Sequence, residues 1–544
     1  MKRFPKSWTV RALAVFLGAS CAFPALGQDP QAISTRPGQR NPLPLPAADK
    51  QGIPLSLSQA VALAVANNED LNVSVNAAES FEYLILQNQG IYDPLISAGI
   101  ARTHAEDPSA SQITSGVSDN TSFNAGVSQL LPTGGQVQLG LQGNRGKTNN
   151  PFFDVNPAYS SGLLLSFNQP LLRGFGNLAT TWLIRISKNS RDSAYQDLLR
   201  IVQGTVNSVE QSYWDLVYAL QNLEVKKESL RIAQDLNRIT RIKIDVGSLA
   251  PIDITQTEVG IATAEQDIIT AEGSIGDSQD RLKRLLNFEP SQQNVPIVPT
   301  DPLSTEEVTV QLDEGTATAL QRRPEILSTS YAVATDLVRY QYYRNQTLPQ
   351  LTLNGSYGSK GLAGFSVDPN TGVVTDTNFS QSFRDTFDRD NKNWSIGLNF
   401  SYPILNRGAR GAKGVAQYQW ESDKARLSTV EQNVVVEVRA AARAIDTARR
   451  SIVAARKGRE LAERNLDAEK KKFDNGMTTS FQVNQIQRDL SAARTAEQQA
   501  LAIYRKALAQ YHYAIADNLD WKKIRVEGMP DSAPPVTDVN SAAK

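Results

Sequence analysis

The sequence predicts a mixed α and β fold in which strands suited to crossing a membrane alternate with helices too long for a compact domain. Three observations support this fold class. The chain begins with an export signal, the same order of landmarks occurs in both halves, and two helical stretches keep a 3.5-residue apolar period over about 67 residues each.

The N-terminus has the pattern of a secretory signal peptide. Basic residues precede a short apolar run from Ala12 to Ala19, and Ala25-Leu26-Gly27 has the small-x-small pattern that signal peptidase cleaves. The run is too short to span a bilayer. We therefore predict a signal peptide over 1–27 and a Pro-rich leader over 28–54. Gly18 stands where a lipoprotein signal would have Leu, Val or Ile, which argues against lipidation of Cys21 but leaves it open.

Composition argues against an enzyme. Cys21 is the only cysteine, the two histidines are His104 and His512, and 56 acidic residues balance 56 basic ones. These counts give no basis for a thiol or metal site or for a nucleic-acid partner. The stretch 174–179 resembles a dinucleotide-binding loop, but the second strand and terminal acid that such a site needs do not follow. We predict no catalytic residues, no cofactor and no metal.

An internal duplication organises the chain. Pro94 and Pro349 are separated by the same number of residues as Glu69 and Pro324, and the strand end at Pro170 is repeated at Pro403. We predict a first repeat over 55–290, with strands in 95–170, and a second over 306–521, with strands in 351–403. Each reads helix, strands, long helix, tip turn, helix. A linker (291–305) joins them and a disordered tail (522–544) follows.

Two helical stretches are the most informative elements. Apolar residues recur every three or four positions from 179 to 245 and from 409 to 475, as in helices wound around partners. About 67 residues of helix extend roughly 100 Å. Periodicity alone would equally fit an ordinary coiled-coil rod.

Six segments alternate between apolar and polar residues, four in the first half and two in the second, each about ten residues long and so long enough to cross a bilayer. A half-buried sheet in a soluble domain would alternate in the same way, but the export signal favours a membrane barrel. We expect the apolar side to face lipid, with these residues: Val137, Leu139, Leu141, Leu163, Leu165, Phe167, Leu353, Ile396, Leu398 and Phe400. The segments 103–121, 147–157 and 361–391 are predicted to be extracellular loops.

Together the duplicated layout, Arg322-Arg323-Pro324-Glu325, Gln169-Pro170-Leu171-Leu172 and Val246-Gly247 resemble the TolC-like outer-membrane efflux proteins over about 55–520. The resemblance implies an outer-membrane β-barrel continuous with a long periplasmic α-helical barrel, assembled as a homotrimer. It also implies a Gram-negative outer membrane as the location. The implied partners are a periplasmic adaptor (membrane fusion) protein and an inner-membrane RND, ABC or MFS pump. The adaptor would dock at the helical tips, namely Val246, Gly247, Asn475 and Gly476.

This chain departs from the family pattern in two places. In relatives, an arginine and two aspartates often follow the second tip and narrow the tunnel entrance. Here those positions are Thr478, Gln482 and Gln485, while the first-half aspartate is retained as Asp253. We expect these four residues at the tunnel entrance and a neutral glutamine ring there. The second departure is the number of strands. The family usually has two strands per repeat, whereas this sequence has four candidate strands in the first repeat and two in the second.

The function that these features indicate is a passive trimeric exit channel of a tripartite efflux pump or type I secretion system, carrying small molecules or polypeptides. The alternative is a periplasmic coiled-coil structural or adaptor protein with a soluble β domain. The nature of the cargo stays open.

Overall fold

A computed structural model describes residues 31–34, 43–46, 52–108, 116–150, 152–305, 310–368, 371–389 and 391–527. The predicted signal peptide and Cys21 lie outside the described residues. The strands are β1 (Gln31–Ser34), β2 (Ile53–Leu55), β3 (Leu95–Glu106), β4 (Val117–Leu130), β5 (Gln136–Thr148), β6 (Val155–Pro170), β7 (Ile297–Pro299), β8 (Gln350–Val367), β9 (Val374–Asp376), β10 (Asn391–Ser401) and β11 (Ile524–Glu527). The helices are α1 (Leu57–Asn67), α2 (Glu69–Gln89), α3 (Asn177–Asp245), α4 (Ile252–Leu285), α5 (Leu312–Arg322), α6 (Pro324–Gln346), α7 (Phe379–Asp388), α8 (Arg407–Asp474), α9 (Ser480–Ala514) and α10 (Asn518–Trp521).

One antiparallel sheet contains all six predicted strands. Its order is β10-β8-β6-β5-β4-β3, and the short β9 pairs with the outer end of β8. The strands are longer than predicted, 11 residues in β10 and 18 in β8. Four of the six come from the first half of the chain and two from the second, as the alternation predicts.

The two long helices are continuous. α3 has 69 residues and α8 has 68, within two residues of the predicted bounds at each end. The apolar period is the buried stripe of each helix: Val206, Val209, Tyr213 and Leu216 are fully buried in α3, and Val434 and Val438 are buried in α8. Burial of one stripe along the whole length stabilises helices that would otherwise be solvated rods. α4 packs along α3 and α9 along α8, while α2 and α6 extend these two layers toward the sheet.

The ends of the chain correct two predictions. β1 and β11 form a parallel pair, so part of the leader and residues 524–527 of the supposed disordered tail are ordered. β2 pairs with β7, which lies inside the segment predicted as a plain linker. The physical reason is burial: Ile53, Ile297 and Ile524 are 3%, 1% and 4% exposed in the apolar cluster beneath α1 and α3.

The segment 361–391 was predicted as a polar loop, and this was wrong. It contains the outer end of β8, then β9 and the ten-residue helix α7. Asn378 caps α7 by accepting a hydrogen bond from the Ser380 N–H at 3.0 Å. Phe379 and Phe383, one turn apart, lie 5.9 and 5.8 Å from the ring of Phe123 on β4. α7 therefore covers the outer end of one sheet face.

Candidate functional site

The ten residues predicted to face lipid all project from the same face of the sheet. The registers show this, because paired residues and residues two apart on a strand share a face. Val137, Leu139 and Leu141 pair with Phe167, Leu165 and Leu163, Leu165 pairs with Tyr357, and Leu353 pairs with Leu398. Many of these side chains are exposed in the chain, with Leu139 and Leu165 at 46% and Ile396 at 67%. We call this side the apolar face.

The opposite side of the sheet is polar, and we call it the polar face. Gln138, Ser166 and Asn354 lie on it, and Ser356 bonds to Ser395 through their hydroxyls at 2.8 Å. These side chains and Gln136 line a shallow cleft on this side of the sheet. Polar side chains with little charge suit the wall of a water-filled lumen.

The two helical tips have the same backbone geometry. After α3, the Gly247 N–H donates to Ile244 O at 2.8 Å and the Ser248 N–H to Lys243 O at 2.8 Å. After α8, the Gly476 N–H donates to Phe473 O at 3.0 Å and the Met477 N–H to Lys472 O at 2.9 Å. This is the Schellman arrangement, which requires a left-handed residue after the helix.

Both tip glycines adopt the required conformation, with φ of 77° at Gly247 and 73° at Gly476. The tips lie together, because the Lys243 ammonium donates to Phe473 O and lies 4.2 Å from the Phe473 ring centre. Val246 and Met477 beside the glycines are 73% and 70% exposed. The predicted tip residues Val246, Gly247, Asn475 and Gly476 thus form one exposed surface.

The predicted gate residues divide into two groups. Asp253 on α4 accepts hydrogen bonds from the Ala250 N–H at 3.2 Å and from Ser480 Oγ at 3.4 Å, so it links α4 to the start of α9. Ser480 also contacts Gln256 Oε1 at 3.2 Å. Thr478 is not part of this link. Its hydroxyl donates back to Glu469 of α8 at 2.6 Å, and this bond, with the Lys472 ion pair, lowers the pKa of Glu469.

Gln482 and Gln485 lie on the accessible side of α9. Gln482 is exposed, and Gln485 one turn later is half-buried. Gln485 accepts a hydrogen bond from Arg488 Nη2 at 2.6 Å and donates to Asp489 Oδ1 at 3.3 Å. The expected glutamine pair therefore has a cation and an anion within one turn.

Sequence reasoning missed several residues of this region. Ser480 and Gln256 carry the contact between α4 and α9, and Asn484 Nδ2 adds a hydrogen bond to Gln256 O at 3.0 Å. Asp489 could have been found, because it lies four residues after Gln485 and hence on the same helical face. Ser480 had no such signal.

A buried carboxylate pair lies nearer to the sheet. Asp336 of α6 and Asp423 of α8 are 3% and 8% exposed. Burial raises the pKa of Asp336 to about 6, aided by a hydrogen bond to the Asp423 carboxyl and opposed by Arg339, whose Nη1 is 3.0 Å from Asp336 Oδ1. This pair joins the helices of the second repeat and was not predicted from the sequence.

Across the described ranges, no three His, Cys, Asp or Glu side chains are grouped so that they could bind a metal. None of the helices in these ranges is both long enough and apolar enough to cross a membrane.

A family model described as outer membrane efflux protein matches residues 136–287 and 316–514. The chain is 24% identical over 366 residues to the outer membrane efflux protein BepC of Brucella suis biovar 1 (strain 1330), covering 66% of this chain and 71% of that protein. It is also 24% identical over 166 residues to the toxin and drug export protein A of Aggregatibacter actinomycetemcomitans. That match covers 30% of this chain and 36% of the relative, so the chain spans only about a third of the length of that protein.

Among solved structures, the outer membrane channel CmeC of Campylobacter jejuni is similar, with a TM-score of 0.62 at 18% identity. The alignment covers 87% of this chain and 90% of that chain. The two therefore share a fold.

Proposed function

The chain belongs to the outer membrane efflux protein family, and on this premise we propose that it is the passive trimeric exit channel of a tripartite efflux pump or a type I secretion system. Members of the family are outer-membrane channels of Gram-negative bacteria, with a large periplasmic helical part, rather than enzymes. The finer proposal concerns the trimer, the lumen, the docking tips and the gate.

The observation that carries the proposal is a sheet joined directly to very long helices, with one apolar face and two edges that have no strand partner in the described parts of the chain. Leu398 and Phe400 are 60% and 67% exposed on the apolar face. A soluble sheet would bury such a face against another layer, whereas lipid covers it in a membrane barrel. The backbone groups along the edges of β3 and β10 need partners at membrane depth, and further copies of the chain can supply them.

The parts then take the following roles. The polar face lines the outer part of the conduit, and the helices extend it by about 100 Å. The tips are the points farthest from the sheet and are proposed to receive the periplasmic adaptor. Asp253, held by Ser480, and the stripe of Gln482 and Gln485 are proposed to line the entrance where the helices converge. Thr478 is left out of this lining set because it bonds back to Glu469.

Fractionation and extraction of the full chain test the proposal. The expected result is a heat-modifiable trimer in the outer-membrane fraction that conducts ions in planar bilayers. A soluble periplasmic protein would contradict the proposal and support the alternative of a coiled-coil adaptor with a soluble β domain.

A further inference from the structure

We propose that the assembled channel closes into an 18-stranded barrel with six strands per copy, and that the hairpin of β4 and β5 is the insertion that widens it. The proposal rests on the proposed trimer. It also fixes the width of the barrel, which would admit solutes about 25 Å across, wide enough for two packed helices. The barrel would therefore not be the part of the channel that limits cargo size.

The edges of the sheet show how the barrel closes. All eleven residues of β10 are exposed, as are nearly all of β3, and neither strand has a partner on its outer side among the described residues. Strand direction alternates across the whole sheet, so β3 leads away from the helices and β10 returns to them. β10 of one copy can therefore pair antiparallel with β3 of the next, and all six strands of each copy enter the ring.

The internal repeat identifies which strands are additional. β3 and β8 each begin just after the equivalent prolines Pro94 and Pro349, and β6 and β10 end close to Pro170 and Pro403. Thus β3 corresponds to β8 and β6 to β10. Within the described residues of the second half there is no counterpart of β4 and β5, and α7 and β9 lie in the connection between β8 and β10.

The hairpin has the regular strand pairing and the two distinct faces that a barrel wall requires. Its two strands pair without register shifts from Ser118↔Thr148 to Leu130↔Gln136. Ala98, Ala125, Leu141 and Leu163 form one row across β3, β4, β5 and β6 on the apolar face. The apolar and polar faces are therefore continuous through the hairpin, which an extramembrane excursion would not need.

The turn of the hairpin is attached to the start of the helical part. Thr133 O accepts hydrogen bonds from the Gly176 N–H at 3.0 Å and from Gln169 Nε2 at 3.1 Å, and Thr180 Oγ donates to Pro132 O at 3.0 Å. Gly134, at φ 87°, packs so closely on Gly174 that a Cβ there would lie 2.3 Å from Gly174 O. The hairpin is thus fixed at the junction where barrel becomes helix.

Dimensions agree with this arrangement. At a spacing of about 4.8 Å and a tilt of about 40°, 18 strands enclose a backbone cylinder about 36 Å across, whereas 12 strands give about 24 Å. A trimer with four helices per copy at any level would form a cylinder about 31–39 Å across at interaxial distances of 8–10 Å. At this tilt a barrel with six strands per copy falls within the range of the helical cylinder.

Crosslinking tests the strand order in the full chain, whose single cysteine is Cys21. After Cys21→Ser, the pair Leu141→Cys with Leu163→Cys joins neighbouring strands and should form an intrachain disulfide in the assembled protein. The control pair Ala98→Cys with Leu163→Cys spans three strand spacings, about 14 Å, and should not. Efficient crosslinking of the control pair and not of the first would overturn the proposal, because β3 would then lie beside β6.

Electron cryomicroscopy of the detergent-extracted trimer counts the strands directly: 18 strands support the proposal and 12 overturn it.

Deletion of 107–152 joins β3 to β6 and removes the hairpin. If this variant assembles, neutral polymers added from the loop side should be excluded above about 15 Å rather than about 25 Å. An unchanged cut-off would contradict the proposal. Failure of the proposed function is distinguishable, because a protein that forms no membrane trimer would still show the predicted intrachain crosslinks.

Discussion

Replacing Leu139 by arginine should prevent assembly of the channel, because it would place a charge near the middle of the bilayer. Arg102 and Arg145 lie in one row across β3, β4 and β5, where the apolar face becomes charged. Leu139 is six residues from Arg145 along β5. At about 3.3 Å per residue and a tilt of about 40°, it lies about 15 Å below that row, close to the middle of an apolar band about 25 Å tall.

An arginine at that depth costs about 2–4 kcal/mol per chain and about 6–12 kcal/mol in a trimer. That is comparable with the whole stability of a typical domain. Heat-modifiable trimer in the outer-membrane fraction should therefore fall to a small residue for Leu139→Arg. Leu139→Ala, which removes the side chain without adding charge, should leave most of the trimer.

The matched control is Gln138→Arg on the adjacent residue. Gln138 projects from the polar face between Ser128 and Ser166, so its arginine would remain in water and should alter conductance only. Refolding into lipid vesicles, with unfolding free energies measured in denaturant, gives the same comparison quantitatively. Equal tolerance of arginine at 138 and 139 would refute the assignment of the two faces.

Three further predictions concern the helical part. Met477→Asp with Val246→Asp should weaken crosslinking to the periplasmic adaptor by at least tenfold without loss of trimer, because both side chains are exposed at the tips; adaptor crosslinks confined to 361–391 would contradict this. Gln482→Asp with Gln485→Asp should increase block by divalent cations in single-channel recordings, since each acid recurs three times around the axis; block identical to the parent would show that neither residue lines the entrance. For Asp336 the folded pKa of about 6 exceeds the unfolded value of 3.8, so its protonation stabilises the folded state at low pH. The free energy of unfolding should therefore fall as pH rises from about 4 to 6, and Asp336→Asn should remove that dependence in denaturant titrations at a series of pH values.

The parts of the fold with a repeating pattern were predictable. The alternation of Val137, Leu139 and Leu141 identifies a strand and its exposed side, and the 3.5-residue stripe identifies α3 and α8 to within two residues. In both cases one face must be covered, by lipid or by another helix, and that need is visible in the sequence as a period. The tip glycines were predictable for a similar reason, because a left-handed residue after a helix favours glycine.

The missed elements are too short to repeat a period many times. β2 and β7 are three residues each, and their pairing depends on a contact between parts of the chain that are far apart in sequence. α7 turns Ser382 and Thr386 toward the sheet, where Ser161 bonds to both hydroxyls at 2.7 Å. Phe379 and Phe383 are spaced one helical turn apart and so carry a helical signal, but Ser382 and Thr386 on the buried side are polar, and the composition of the whole segment resembles that of a loop.

The gate region shows why a residue's charge does not by itself define the field at a tunnel entrance. Glutamines at 482 and 485 predicted a neutral ring, yet Gln485 connects Arg488 to Asp489 through its amide. The net charge of this group is zero, but its two charges lie on neighbouring positions of the same helix. A cation passing the stripe would meet a carboxylate one turn beyond Gln485, partly compensated by the guanidinium beside it. Because the amide holds both side chains, replacing Gln485 by aspartate adds a second acid and also releases Asp489 from its donor. The increase in cation block expected for the acidic variant therefore has two sources. The variant Gln485→Ala separates them, because it breaks the bridge without adding charge. Cation block should rise slightly in this variant if release of Asp489 contributes, and should stay unchanged if the new acid acts alone.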